Sequence, residues 1–289
     1  MDTSDLGKRS KVVRFESSDG LGLTGILSSD ARSKTCIIFI PGMGSGAFAN
    51  VGLALAAATP KAAVFLANNR GMGLVSGFPK RAGRSRRRFL AGTQLERFED
   101  SIFDIKGAAN AVSRLGYRKI ILCGHSTGCQ KVAYYLYKCT DRRVKGVVLV
   151  APTDDHNLFI KNLGRKASSI AKECSRMVKS GRGDETAPGG SGLSAQRLDS
   201  ILNPKRIEGR LFNYEGGLKE FGRIRTPILA IFGSKEENST INVAKCLDLL
   251  EKSSTSRSFS KKLIRGADHS FHGKEKELSS AINAWISRL

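Results

Sequence analysis

Apolar residues along this chain come in short unbroken runs, and the stretches between them repeat every three to four positions. The runs at 35–40, 62–67, 119–123, 144–150 and 227–232 are continuously apolar. Such runs predict strands covered on both faces, as in a parallel sheet. Ahead of them, residues 11–27 alternate instead: Val12, Val13 and Phe15, then Leu21, Leu23 and Ile26, around Asp19-Gly20. Alternation about an Asp-Gly pair predicts a hairpin. Helical spacing occupies 95–115, where Phe98, Ile102, Ile105, Ala109 and Val112 share a face. It returns at 130–139, at 241–250 and in a last helix presenting Leu278, Ile282, Trp285 and Ile286. A further strand is expected over 258–264. A hairpin followed by β–α alternation predicts an α/β fold, a mostly parallel sheet with helices on both faces.

The alternation breaks in two places. Between 153 and 223 no strand pattern appears. Leu163, Ala167, Ile170, Ala171, Cys174, Met177 and Val178 form one helical face, a Gly- and Pro-rich stretch follows at 181–192, and a short helix runs from near Ser194 to before Pro204. The expected organisation is a core of residues 1–152 and 223–289 carrying a helical cap inserted at 153–222. The second break is the basic run at 78–88, with two Gly and a Pro among six Lys and Arg; it is expected to be a long loop.

Composition narrows the class. With 289 residues and 40% hydrophobic content, the chain can bury a sizeable core and is not a disordered one. No apolar run is long enough to cross a bilayer, and the polar opening at 1–11 lacks the apolar core of a signal peptide. Six cysteines, at 36, 123, 129, 139, 174 and 246, form no C-x-x-C pair. They are expected as reduced core thiols of a cytoplasmic protein, with no metal site and no cofactor. The formal net charge of +22 draws anions, nucleic acid or anionic membrane to the surface in a salt-dependent way. No zinc-finger spacing or RNA-binding glycine–aromatic signature accompanies it, so no specific nucleic-acid partner is expected.

The stretch with chemistry in it is Gly124-His125-Ser126-Thr127-Gly128, at the end of an apolar run and the start of a helix. G-x-S-x-G between strand and helix is a nucleophile elbow, a sharp turn that exposes the serine hydroxyl at the end of a sheet. A serine hydroxyl needs a general base, and the base needs a carboxylate to fix its tautomer. Of four histidines, His269 follows the last strand and precedes the last helix, and is the candidate base. His125 lies inside the elbow and His156 at the start of the cap, where both could touch substrate; His272 reads as a loop histidine. The acid should follow the strand ending at 232–234. Glu236 is preferred, with Glu237, Asp154 and Asp155 as alternatives, while Asp268 is too close in sequence to reach the His269 ring. Two backbone N–H groups should receive an oxyanion, one from Thr127 and one from Met43 in the Gly-rich turn at 41–44.

Residues 38–44, 69–71, 124–128, 232–237 and 266–270 resemble the successive motifs of the α/β-hydrolase superfamily. The blocks at 124–130 and 95–100 resemble more narrowly a serine-hydrolase branch carrying the domain-of-unknown-function label DUF1749. The resemblance implies the α/β-hydrolase fold and a cofactor-free ester hydrolase with a Ser–acid–His triad. The sequence departs from the family pattern in having Glu where Asp is usual, and Pro41 where a His often precedes the oxyanion Gly. The expected activity is a carboxylic ester hydrolase acting on a small ester, anionic esters included. An acyltransferase with the same triad is one rival. The other is a non-catalytic scaffold binding polyanions through residues 80–88.

Overall fold

The computed structural model describes residues 10–29, 33–59 and 62–289. Most of the polar opening lies outside the described residues. β1 (Ser10–Glu16) and β2 (Gly22–Ser28) form the antiparallel hairpin, with Val12 opposite Ile26 and Phe15 opposite Leu23. The chain continues through β3 (Thr35–Ile40), α1 (Asn50–Ala58) and β4 (Ala63–Ala67). β5 (Ser76–Ala82) and β6 (Ser85–Ala91) come next, followed by α2 (Ser101–Arg114), β7 (Lys119–His125), α3 (Thr127–Lys138) and β8 (Val144–Val150). Four helices stand between β8 and the next strand: α4 (Asp155–Leu163), α5 (Ala167–Lys179), α6 (Ala195–Leu202) and α7 (Glu208–Leu211). The chain closes with β9 (Ile228–Gly233), α8 (Val243–Ser253), β10 (Phe259–Ile264) and α9 (Glu275–Ile286).

Eight strands make one sheet in the order β1-β2-β4-β3-β7-β8-β9-β10. The pairs β1/β2 and β2/β4 are antiparallel and every later pair is parallel. The inner strands β4, β7, β8 and β9 are buried almost throughout, which explains their unbroken apolar sequence: helices cover both faces. α1 packs on α9, and α2 on α3. Parallel pairing brings the carboxyl ends of β3, β7, β8, β9 and β10 to one edge, where Ile40 is level with Gly124, His125 with Val150, Val150 with Ile231, and Gly233 with Ile264. The loops leaving that edge carry residues 41–46, 126, 151–154, 234–238 and 265–273. Open α/β sheets hold their sites there.

The basic run at 78–88 is not a loop. β5 and β6 form a second, two-stranded sheet with Phe78 opposite Phe89 and Lys80 opposite Arg87. Phe78 is buried, Lys80 sits 4.6 Å from the Phe89 ring centre, and its Nζ is 3.0 Å from Asp19 Oδ2. The ribbon is docked by a bridge between Leu21 and Lys80 and by Arg81 N–H donating to the Gly20 carbonyl at 2.9 Å. Two phenylalanines and two acidic partners thus hold a strand pair whose alternation is masked because arginine fills both of its faces.

The helices between β8 and β9 have an apolar cluster of their own. Ile170, Cys174 and Met177 pack with Leu193, Leu198 and Ile201, and Met43 reaches into the group from the core.

Candidate active site

Ser126 links β7 to α3 with φ 56° and ψ −129°, a left-handed backbone that a non-glycine residue holds only under constraint. The flanking glycines supply the room. A Cβ on Gly128 would lie 2.1 Å from the Ile40 carbonyl oxygen, and one on Gly124 would lie 2.5 Å from the Gly128 carbonyl oxygen. Only glycine lets strand and helix cross this closely. Ser126 N–H donates to the Val150 carbonyl at 3.0 Å, tying the turn to β8.

The next two strand ends carry an imidazole and a carboxylate. The loops after β9 and β10 are joined by Lys235 N–H donating to the Ala267 carbonyl and Gly266 N–H donating to Ser234 Oγ, both at 2.8 Å. In that frame His269 Nδ1–H donates to Glu236 Oε1 at 2.7 Å, and Asn238 N–H donates to the same oxygen at 2.9 Å. The Glu236 side chain is 1% exposed and that of His269 11%. Burial alone would lower the His269 pKa, but the hydrogen bond and charge of Glu236 outweigh it and the net shift is upward. With the proton of neutral His269 held on Nδ1, Nε2 carries the free lone pair.

Each other carboxylate weighed as the acid has a different task. Glu237 Oε2 accepts the backbone N–H of His269 at 3.0 Å. Asp154 caps α4, accepting from Asn157 N–H at 3.0 Å and from Tyr214 N–H at 3.0 Å. Asp155 accepts Thr127 Oγ1–H at 2.8 Å in full burial, which pushes its pKa up to about 7. Asp268 pairs with His272, both in the turn and through the ring.

Ser126 Oγ lies 3.4 Å from Thr153 Oγ1 and is not hydrogen-bonded to His269. The His269 ring is nonetheless beside the elbow, its centre 4.8 Å from that of His125. His125 Nε2–H donates to the His269 carbonyl at 2.9 Å; burial first, then the His269 charge, lowers the His125 pKa to about 4. His125 therefore anchors the loop that carries His269. His156 donates from Nδ1 to the Ile201 carbonyl at 2.9 Å, so one of its ring nitrogens is engaged inside the inserted helices.

The Gly-rich turn closes over the serine: a Cβ on Gly42 would lie 3.0 Å from Ser126 Cβ. The turn is held by a bridge between Gly44 and Met72. Among the described residues, neither Met43 N–H nor Thr127 N–H donates to a protein acceptor. Both flank the serine hydroxyl and both are free to bind an oxygen. Thr153 has no motif to mark it; it stands two residues beyond β8, next to Ala151 with its φ of 49°. A cleft of about 1080 Å³ between β10 and α9 shares no residue with this site. Among the described residues no group of three His, Cys, Asp or Glu side chains is placed to hold a metal ion.

A family model described as "Protein of unknown function (DUF1749)" matches residues 101–288. No curated protein matches the sequence. Among solved structures, the chain is similar to an esterase of Pyrococcus furiosus at 14% identity and a TM-score of 0.63, covering 100% of this chain and 93% of that one. The siderophore hydrolase EstB of Aspergillus fumigatus aligns at 16% identity and a TM-score of 0.66, covering 92% and 94%. An alpha-beta serine hydrolase homologue of Coxiella burnetii aligns at 17% identity and a TM-score of 0.57, covering 95% and 96%. These likenesses show the α/β-hydrolase fold.

Proposed function

We propose that this chain, which belongs to the DUF1749 family and has the α/β-hydrolase fold, is a serine-dependent carboxylic ester hydrolase. The observation that carries the reading is the pairing of a strained Ser126 elbow with a buried Glu236–His269 hydrogen bond on the same sheet edge. In the resting arrangement Ser126 Oγ faces Thr153; on substrate entry it turns to His269 Nε2. Catalytic hydrogen bonds commonly close only in the substrate complex. Ser126 Oγ then attacks the acyl carbon while Nε2 takes its proton, and Glu236 stabilises the imidazolium through Nδ1–H. The oxyanion accepts from Met43 N–H and Thr127 N–H. Collapse expels the alcohol, which takes the proton back from Nε2. A water, deprotonated by the same nitrogen, releases the acid and restores Ser126. Residues 153–222 act as a cap on the core of 1–152 and 223–289, with Met43 packed between them. The six cysteines are unpaired and five of them are buried, which favours a cytoplasmic setting.

The test is labelling by a fluorophosphonate together with turnover of p-nitrophenyl acetate and butyrate. Labelling at Ser126 is expected. Ser126→Ala should lose label and lower kcat/KM by about 10⁴-fold or more. A folded wild type that neither labels nor turns over would overturn the reading.

A further inference from the structure

We propose that the rim beside the active-site turn docks on an anionic lipid surface. Four of the nine large apolar residues exposed among the described residues lie on this rim: Phe48 at 76%, Leu74 at 59%, Val75 at 50% and Leu90 at 51%. Local contacts bring them together. The Gly44–Met72 bridge and Gly73 N–H donating to the Gly44 carbonyl at 3.0 Å join the turn bearing Phe48 to the segment bearing Leu74. That segment lies against the end of β6, since a Cβ on Gly92 would meet the Leu74 carbonyl at 2.5 Å and Val75 Cα at 2.8 Å. Leu90 stands opposite Gly77 in the ribbon.

The same ribbon carries the charge. Arg84, Arg87 and Arg88 are exposed and have no carboxylate partner among the described residues, unlike Arg86, which reaches Glu16 at 2.8 Å. Arg88 lies across Gly77, where a Cβ would come 2.7 Å from its Nε, so its guanidinium sits beside Leu90. Apolar side chains at one end of a ribbon and unpaired arginines along it match the two layers of an anionic bilayer surface: acyl boundary below, phosphate and carboxylate above. A nucleic acid would use the arginines and give the aliphatic residues nothing to bury against, because bases stack on aromatic rings. The net charge of +22 extends the attraction beyond contact. Docking this way places the 41–46 turn, and Ser126 behind it, at the lipid surface.

The measurement is co-sedimentation with vesicles of phosphatidylcholine alone and of phosphatidylcholine with phosphatidylserine, at physiological ionic strength. Wild type should pellet only with the mixed vesicles. Each lost arginine should weaken binding about fivefold, so Arg84→Ser/Arg87→Ser/Arg88→Ser should lower the partition on the order of a hundredfold. Leu74→Ser/Leu90→Ser, with charge unchanged, should lower it roughly tenfold. Phe48→Trp reports insertion directly, because Trp285 is buried at 4% and remote from lipid; its emission should shift to the blue on mixed vesicles. Wild type that stays in solution with the mixed vesicles overturns the proposal. So does a Leu74→Ser/Leu90→Ser variant that binds vesicles as wild type does while poly(U) displaces it, which would make the ribbon a polyanion site. Binding is read without turnover, so failure of the esterase reading leaves this result standing, and the reverse holds for a soluble ester.

Discussion

At the ends of β9 and β10 one buried carboxylate meets one imidazole, and the Glu236 oxygen that receives the ring also receives a backbone N–H. Under the inserted helices the chain buries charge differently. Glu96 and Lys131 come from the core side, with Lys131 Nζ 2.5 Å from Glu96 Oε1. Arg197 and Glu208 come from α6 and α7 and pair with each other, and Arg197 also stands 4.0 Å from Glu96. Asp155 joins them from α4, under the influence of both Glu208 and Arg197. Every one of these five residues is buried. Several of their atoms, including Arg197 Nε and Glu208 Oε1, have no hydrogen-bond partner. The first region spends a buried charge on orienting one ring. The second matches two cations to two carboxylates across a seam, where desolvation costs about as much as the attraction returns. The difference teaches that the sheet edge serves chemistry and the seam serves registration, fixing how the helices sit over the core.

The strongest way to break this comparison is Glu236→Gln. It preserves shape and removes the charge that holds the His269 proton on Nδ1. By analogy with other triads, kcat should fall about 10³-fold or more. The pH profile carries a second readout. Glu236 raises the His269 pKa, so the acid limb of kcat/KM in the wild type should lie above the ordinary imidazole value, and in residual Glu236→Gln activity it should move to lower pH. The sign follows from the base being active only when neutral. An unmoved limb would mean that Glu236 does not act on His269 in solution.

Next in size is Arg197→Met. It leaves Glu208 and Glu96 buried without their cation, and unfolding by denaturant should show a loss of about 3–5 kcal/mol. Arg197→Met/Glu208→Leu should recover most of that loss, because it removes the pair rather than half of it. A double variant no better than the single one would show that the seam is stabilising in itself, and the contrast with the sheet edge would fail. Neither change should move the pH limb set by Glu236.

The two regions differ as sharply in how they are written in the sequence. Strand order and the elbow are legible because each is local: an unbroken apolar run, then Gly124 and Gly128 two residues either side of Ser126. Glu236 is legible as a strand-end carboxylate, although nothing in the sequence separates it from Glu237; their division between ring and backbone N–H emerges only in the folded loop. The seam is not legible. Glu96, Lys131, Arg197 and Glu208 look like solvated helix and loop charges, since what buries them is packing between segments far apart in the chain. The ribbon at 76–91 is hidden for a related reason. Its pattern is carried by the pair Phe78 and Phe89, while the arginines between them occupy both faces.

Asp155 belongs to both regions, and its substitution should give the smallest effect. It holds the Thr127 hydroxyl at the elbow while lying inside the seam, and burial raises its pKa from 3.8 to about 7. A raised carboxyl binds its proton more tightly folded than unfolded. Stability is therefore highest below the unfolded value and declines as pH rises toward about 7, where the folded group also ionises. Asp155→Asn keeps an acceptor for Thr127 Oγ1 and removes the ionisation. It should be more stable than wild type above neutrality by on the order of 1–2 kcal/mol, and its stability should vary less with pH. Thermal melts across the acidic to mildly alkaline range read both effects. If the variant and wild type follow parallel curves, Asp155 remains charged without penalty and must be counted with the matched pairs of the seam. If the curves converge in acid and separate in base, the seam keeps its two-to-two balance by leaving this carboxyl protonated, and the elbow above it rests on a neutral hydrogen bond rather than on a charge.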